Sequence, residues 1–256
     1  MIEPSWGAVA ILVLVAFAAA IVDAVAGGGG LLTVPALLTA GLPPQLAIAT
    51  NKGQSTFGAA AALARFHRAG MVDAARARVG FPAAFAGSLL GAALLLVVRP
   101  ALLRPIVLVL LVGAAAFTAL RRGPPRVASH VRPSSAPLAA AAIALVLGAY
   151  DGFFGPGTGT FLIVAFASIL GDGLARASGE AKVVNFASNL AALLVFALRG
   201  VVVWKVALPM AAAQLVGGTV GAHLVVRRGD LFVRRVVLAV VLALVVKLVH
   251  DAWLAS

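Results

Sequence analysis

Two lysines lie inside apolar stretches of the chain, where a charged side chain is costly to bury. Lys52 and Lys182 stand at matching places in two similar segments, one in each half of the sequence. The arginine-rich stretches between the apolar segments contain no lysine, so the two residues stand apart from that charge pattern. An ionisable residue within a membrane segment indicates a substrate or ion pathway. Two such ammonium groups are suited to an anion, and snorkelling to a membrane interface is the structural alternative.

Each lysine is accompanied by polar side chains on one helical face. At 100° per residue, the polar positions three and seven residues after Lys182 fall within about 60° of it. Amide and hydroxyl donors around a cationic centre suit an oxyanion with several acceptor oxygens. Polar side chains also join membrane helices to each other, which is the alternative role for each of them. The predicted substrate-binding residues are Asn51, Lys52, Ser55, Thr56, Lys182, Asn185 and Asn189.

A glycine-rich stretch precedes each lysine, at 27–30 and at 155–159, and the apolar segment after it is short. About a dozen residues cannot span a membrane at a rise of about 1.5 Å per residue. We therefore expect both glycine stretches to be non-helical and to break a helix inside the membrane. The free N–H groups of the second half-helix would then favour an anion, whereas glycines that only permit close packing are the alternative. The predicted anion-binding residues are Gly28, Gly29, Gly30, Gly157, Thr158 and Gly159.

An aspartate, Asp23 or Asp151, precedes each glycine stretch. Three roles are open for these carboxylates: they could pair with the lysines, cap the following half-helix or carry a coupling proton. We expect the two lysines to face one central cavity, where their repulsion in the empty site would favour a bound anion.

A catalytic interpretation uses the same residues. Lys52 and Ser55 could form a nucleophile pair of the serine–lysine kind. The second half of the chain has Asn185 where the serine would stand, which favours a binding site over an enzyme. The chain has no cysteine, its four histidines show no metal-ligand spacing, and no P-loop or dinucleotide fingerprint is present. We therefore expect no metal, no cofactor and no enzymatic activity.

The composition is that of a membrane protein. Of 256 residues, 62% are hydrophobic and 11% charged, and the mean hydropathy is +1.10. A soluble domain is about 45–50% apolar and about 25% charged. We predict an all-α polytopic membrane protein that fills the chain, residues 1–256, as a single membrane domain. Its ten apolar segments are 6–26, 31–42, 45–66, 79–98, 101–120, 137–150, 160–171, 177–198, 201–225 and 231–253.

The chain divides into two related halves. Residues 1–120 and 137–256 each contain an aspartate, a glycine cluster and a lysine in the same order. Residues 121–136, rich in proline and arginine, form the predicted connecting loop. We expect two repeats of about five helical segments each.

The arginines predict the orientation of these repeats. The net charge is +12, but most arginines fall in three clusters, at 65–78, 121–132 and 227–235, so orienting loops explain the charge better than nucleic acid does. If all three clusters are cytoplasmic, the repeats are inverted relative to each other and both termini are external. Inverted repeats are a recurring architecture of transporters, with the substrate site between the halves.

Three segments give the chain a family resemblance. They are DAVAGGGGLLTVPALLTAGLPPQLAIATNKGQSTFG, YDGFFGPGTGTF and ASGEAKVVNFASNLAALL, and they resemble the sulfite exporter TauE/SafE family. The resemblance extends over about residues 7–250 and departs at Gly179-Glu180, where small or hydroxyl residues are expected. Asn51, Lys52, Ser55, Lys182, Asn185 and Asn189 match positions typical of the family's motifs.

The resemblance implies a permease in the cell membrane of a prokaryote that moves sulfite, a sulfonate or a related organosulfur anion. We expect a secondary transporter driven by an ion gradient, in the direction of export. The expected partners are a small anion and the lipid bilayer, with no nucleic acid and with a homodimer left open. A permease or channel for another small anion, such as a carboxylate, is the alternative.

Overall fold

The computed structural model describes residues 5–120 and 131–254, and the side chains of these residues except 119, 120, 133 and 240–254. Within these residues the fold is all-helical, as the composition predicts. The α-helices are α1 (Trp6–Ala26), α2 (Gly30–Thr39), α3 (Pro44–Arg68), α4 (Ala74–Val97), α5 (Pro100–Leu120), α6 (Ala136–Phe153), α7 (Thr158–Ile169), α8 (Leu174–Leu198) and α9 (Trp204–Leu254).

These helices follow the predicted apolar segments closely. The last two segments are joined as α9, which turns at Gly229, where the backbone is non-helical with a φ of 61°. The greater part of the predicted connecting loop, 121–130, lies outside the described residues, and a 3₁₀ turn at Pro133–Ser135 leads into α6.

Six of the described helices are long and apolar enough to cross a membrane: α1, α4, α5, α6, α8 and α9. Large apolar side chains point outward from them, including Leu90 and Val109, each 70% exposed. A surface of this kind is suited to lipid rather than water. Helix α3 has the length of α8, 25 residues, but its centre is polar and buried. The chain is therefore a multi-pass membrane protein.

The two short helices re-enter the bundle instead of crossing it. Helix α2 has 10 residues, and Leu37 near its end packs in one cluster with Val9 and Leu12 near the start of α1. Helix α7 has 12 residues, and Phe166 near its end packs in one cluster with Ala140 near the start of α6. Each pair thus forms a hairpin whose second helix returns toward the end where the first began.

Polar contacts divide the loops between two ends of the bundle. At one end, Arg76 and Asp172 form an ion pair of 2.7 Å, and Asp230 accepts the first N–H groups of α8. Residues of the first and third basic clusters therefore lie at this end. At the other end, the ammonium of Lys205 lies 5.1 Å from the centre of the Trp6 ring. Two of the three basic clusters thus share one end of the bundle, and the orientation of the bundle in a membrane stays a prediction.

Small residues let helices from the two halves of the chain pack at close range. A Cβ atom at Gly87 or Gly91 of α4 would collide with the backbone of α6, and one at Gly148 of α6 would collide with that of α4. A Cβ atom at Gly217 or Gly221 of α9 would likewise collide with the backbone of α1. Glycine at every fourth position allows such approach between membrane helices. The two halves are thus interleaved rather than side by side.

Candidate functional site

The broken ends of the two hairpins meet inside the bundle. The Thr160 N–H donates to the Gly27 carbonyl at 3.2 Å, and the Thr160 hydroxyl donates to the Ala26 carbonyl at 2.9 Å. Gly27 has a φ of 77°, and a Cβ atom there would collide with the backbone of Gly159. Only glycine fits such a position, because it combines a left-handed backbone with close contact. The hairpin tips are therefore fixed against each other.

The predicted helix breaks are present, with a correction to their extent. Gly27, Gly28 and Gly29 lie in the first break, and Gly155 and Gly157 lie in the second. Gly30 and Gly159, expected to be non-helical, belong to the first turns of α2 and α7. The first residues of a helix have helical geometry although their N–H groups lack partners within the helix. Gly30 and Gly159 both line the central cavity, so two helix N-termini are presented there.

Lys52 forms an ion pair with the aspartate of the other half of the chain. Its ammonium lies 2.9 Å from Asp151 Oδ2, and the exposed fractions of the two side chains are 1% and 4%. Lys52 also donates to Asn189 Oδ1 at 2.9 Å, and the Ser188 hydroxyl donates to Asp151 at 2.5 Å. Helices α3, α6 and α8 supply these groups, so the pair joins both halves of the molecule. The buried cation is compensated within the fold.

Lys182 forms the reciprocal pair. Its ammonium lies 2.5 Å from Asp23 Oδ2, and it donates to Asn185 Oδ1 at 3.3 Å. Asp23 Oδ1 accepts the Gly29 N–H at 3.3 Å, so this carboxylate both pairs with a lysine and caps the break before α2. The exposed fraction is 1% for Lys182 and 27% for Asp23.

The crossed pairs change the expected electrostatics of the empty site. We expected the two lysines to repel each other, but each one has an aspartate within ion-pair distance. The four side chains together carry no net charge. Compensation of this kind is what allows charges to persist in a buried site. Attraction of an anion therefore depends on rearranging the pairs or on the donors around them.

A cavity of about 30 Å³ lies between the hairpin tips and the pairs, with room for roughly one or two water molecules. A larger ligand requires this site to widen. Most predicted site residues lie on its wall, including Asp23 and Asp151, whereas Lys182 stands behind Asp23 and Asn185. The lining residues are Asp23, Gly27, Gly29, Gly30, Thr33, Asn51, Lys52, Gln54, Ser55, Asp151, Gly155, Gly159, Asn185, Asn189 and Gln214.

Four other predicted residues are outside this wall. The Thr56 hydroxyl donates to the Lys52 carbonyl at 2.7 Å within α3, and the Thr158 hydroxyl donates to the Gly155 carbonyl at 2.7 Å. Gly28 and Gly157 shape the two breaks without lining the cavity, and Gly157 does so with a φ of 88°. Their role is to form the local backbone.

Three polar residues of the wall were missed by the sequence analysis: Thr33, Gln54 and Gln214. Gln54 follows Asn51 by three residues and therefore shares its helical face. Gln214 is an isolated polar residue in an apolar part of α9, which is itself a signal of function in a membrane segment. Thr33 gives no such signal, because a threonine in an apolar helix often bonds only to its own backbone.

Unused donors surround the cavity. The amide oxygens of Asn51 and Asn189 accept hydrogen bonds, from Gln54 and Lys52 among others. The amide nitrogens of Asn51, Asn185 and Asn189 donate to no group among the described residues. Amide N–H groups, an ammonium and two helix N-termini are the donors that an oxyanion requires.

Gly179 and Glu180, which depart from the residues expected for the family, contact the loop between α3 and α4. Glu180 accepts the Asp73 N–H at 2.7 Å, and a Cβ at Gly179 would crowd the Met71 backbone. Asp73 also caps α4. The Arg76 and Ala75 backbone N–H groups hold the pKa of its carboxyl below the usual range. The contacts of Gly179 and Glu180 thus hold α8 against the first half of the chain.

Comparisons with known proteins agree over nearly the whole chain. The family model of the sulfite exporter TauE/SafE matches residues 12–248. A Sinorhizobium protein named probable membrane transporter protein ORF9 is 36% identical over 242 residues, which are 94% of this chain and 92% of the relative. No solved structure matches the chain.

Two further relatives have similar names and similar coverage. A probable membrane transporter protein of Haemophilus influenzae is 36% identical over 244 residues, 94% of either chain. The probable membrane transporter protein YfcA of Escherichia coli K12 is 36% identical over 242 residues, 94% of this chain and 90% of the relative.

Proposed function

The chain belongs to the sulfite exporter TauE/SafE family of membrane transporters, and from this premise we propose that it is a secondary transporter for a small sulfur oxyanion, sulfite or an organic sulfonate. Its substrate binds in the central cavity between the two halves, among the predicted site residues, and is exported across the cell membrane at the expense of an ion gradient. The sequence contains no ATP-binding motif, and an ion gradient supplies the driving force in this proposal.

The arrangement of donors supports this proposal most directly. Lys52, the amides of Asn51, Asn185 and Asn189, and two helix N-termini converge on one buried cavity. Such a set can surround an oxyanion on several sides, because each oxygen accepts more than one hydrogen bond. A bound anion would compete with Asp151 for Lys52 and so loosen the pair that joins the halves.

The inverted-repeat architecture is part of the proposal. The hairpin of α1 and α2 begins at the end of the bundle that contains Trp6 and Lys205. The hairpin of α6 and α7 begins at the end that contains the basic loops, and the tips of the two hairpins meet. This supports two oppositely oriented repeats with the site at their junction, which alternating access can expose to either side.

A serine–lysine enzyme is less well supported by the geometry. The Ser55 hydroxyl donates to the Asn51 carbonyl at 2.7 Å and to Asn189 at 3.3 Å. Lys52 is engaged by Asp151 and Asn189. A lysine base would have to accept the serine proton, and here it is held as a charged donor.

A ligand panel on the purified protein tests the proposed substrate class. Sulfite, alkanesulfonates, sulfate and acetate are compared by thermal shift, because a ligand that binds the native state raises its melting temperature. We expect the sulfur oxyanions to give the largest shifts, and a largest shift with acetate would instead favour a carboxylate permease.

Transport in proteoliposomes separates a carrier from a channel. We expect concentrative movement of sulfite that collapses when a proton ionophore dissipates the gradient. Flux that follows only the gradient of sulfite itself, unaffected by the ionophore, would contradict gradient-driven transport.

A further inference from the structure

The central cavity contains a buried polar atom without a partner. The side chain of Gln54 is fully buried, and its Oε1 accepts no hydrogen bond among the described residues. Its Nε2 donates to Asn51 Oδ1 at 2.7 Å, and the same oxygen accepts the Thr33 hydroxyl at 2.6 Å. The amide is therefore held with its nitrogen engaged and its oxygen free. Gln54 is one of the residues that line the cavity, so this acceptor lies beside the space of a ligand.

A free acceptor in this place selects for a donor. A buried oxygen that has lost its hydrogen bonds to water is costly until a donor reaches it. Two neighbouring oxygens are already used, since Asn189 Oδ1 accepts from Lys52 and Ser55, and Asp151 Oδ2 accepts from Lys52. Gln54 Oε1 is the buried side-chain atom that lacks a hydrogen-bond partner among the described residues, so a ligand donor gains most by reaching this oxygen.

The net charge of the site also favours a protonated anion. The pairs of Lys52 with Asp151 and Lys182 with Asp23 balance each other. A monoanion adds one uncompensated charge to this neutral, buried site, and a dianion adds two. Each uncompensated charge is costly where water is excluded. Hydrogen bonding and charge thus both favour an anion that has kept a proton.

We propose that Gln54 is a specificity-determining residue that accepts a hydrogen bond from the transported anion, so that the site prefers a monoanion with its own donor. Hydrogensulfite and sulfonates that carry a hydroxyl group have this chemistry. The sulfite dianion and unsubstituted alkanesulfonates do not. The inference rests on the anion transport proposed above and names the protonation state and substituent that the site selects.

Two nearly isosteric sulfonates provide the test. 2-Hydroxyethanesulfonate and propane-1-sulfonate are both monoanions of similar size, and they differ by a hydroxyl in place of a methyl group. We expect the full-length protein in detergent to bind the hydroxyl compound roughly ten-fold more tightly by isothermal titration calorimetry. Replacement Gln54→Met should bring the ratio of the two dissociation constants close to one.

Two further variants control for effects on folding. Gln45→Met makes the same substitution in the first turn of α3, away from the cavity wall, and should keep the ten-fold preference. Gln54→Glu retains an acceptor of the same shape and should also keep a preference for the hydroxyl compound, although its added charge weakens the binding of both anions.

The outcomes separate this inference from the transport proposal. If neither sulfonate nor sulfite binds the parent protein, the proposed substrate class fails and the inference fails with it. If both bind equally to the parent and to Gln54→Met, the anion site stands, Gln54 serves only a buried water, and the inference is overturned. A preference for propane-1-sulfonate also overturns it, because the amide nitrogen would then face the anion.

Sulfite itself supplies a second readout. Its monoprotonated fraction falls as the pH rises through neutrality, so we expect its apparent affinity for the parent protein to fall in proportion. An affinity that stays level or rises over that range would mean that the dianion is bound and would overturn the inference.

Discussion

The two ion pairs of the central site occupy equivalent positions in the two halves of the chain, yet their surroundings differ. The pair of Lys52 and Asp151 is enclosed on both sides, with exposed fractions of 1% and 4%, and lies on the cavity wall. In the pair of Lys182 and Asp23, the carboxylate is 27% exposed and the lysine stands behind the wall. Equivalent residues therefore have different access to water in one conformation.

This difference has a direct consequence for the proposed transport cycle. A carrier that alternates between two states exposes one side of its site at a time. The pair around Asp23 has the access to water that a coupling proton needs, and the pair around Asp151 is the closed counterpart. In the opposite state we expect these roles to exchange, because each half contributes one lysine and one aspartate to the two pairs.

The largest expected effect is that of Lys52→Gln. Removing the ammonium leaves Asp151 buried without its cation, which costs about 3–5 kcal/mol of unfolding free energy. Anion binding should be lost as well. The double variant Lys52→Gln/Asp151→Asn should regain most of the stability but no binding. Denaturant titration in mixed micelles and calorimetry measure the two effects, and a double variant that binds like the parent would refute the role of Lys52.

Lys182→Gln should have a smaller effect on stability, roughly 2 kcal/mol, between the values typical of exposed and buried pairs. Asp23 is partly exposed and keeps the hydrogen bond from the Gly29 N–H, so its charge is less costly when unpaired. The same micelle titration applies. Equal losses of unfolding free energy in Lys52→Gln and Lys182→Gln would mean that the difference in burial between the two pairs does not affect stability.

Ser188→Ala should sharpen the comparison, because the hydroxyl serves only one of the two pairs. It donates to Asp151 at 2.5 Å, and Gly58 occupies the equivalent place in the first half. Loss of this hydrogen bond should cost about 1 kcal/mol. Ser188→Thr, which keeps the hydroxyl, is the matched control, and an equal loss in both variants would assign the effect to packing.

The smallest effect is expected at Asp73, whose pair with Arg176 lies at the end of the bundle. The pair distance is 3.3 Å, and the exposed fractions are 49% for Arg176 and 32% for Asp73. Asp73→Asn should cost less than about 1 kcal/mol at neutral pH, since asparagine also caps helices. The Arg76 and Ala75 N–H groups hold the pKa of Asp73 below its unfolded value, so its contribution is present above about pH 4 and is lost on acidification.

The variant should therefore be less sensitive than the parent to acid below about pH 4. Thermal melting between neutral and acid pH measures this, with Arg176→Gln as the matched change on the other partner. A loss as large as that of Lys52→Gln would contradict the ranking of central over terminal pairs.

Local features of the sequence were sufficient for much of the fold. The apolar runs predicted α1 and α8 to within a few residues, because each run must cover its own length of membrane. The glycine stretches predicted the two breaks, since closely spaced glycines do not sustain a helix. The boundary inside each break was less accurate, because glycine also tolerates the first turn of a helix, as at Gly30 and Gly159.

The sequence by itself determined which residue types would be buried together: two lysines, two aspartates and a polar stripe placed in apolar segments where each has a cost. Only the tertiary structure decided their partners. Lys52 pairs with Asp151 and Lys182 with Asp23 because two hairpin tips cross between the halves, a contact between residues far apart in the chain. Helical periodicity fixes the face of a helix on which a side chain stands. It contains no information on which other helix will cover that face, and that choice placed Gln54 on the cavity wall.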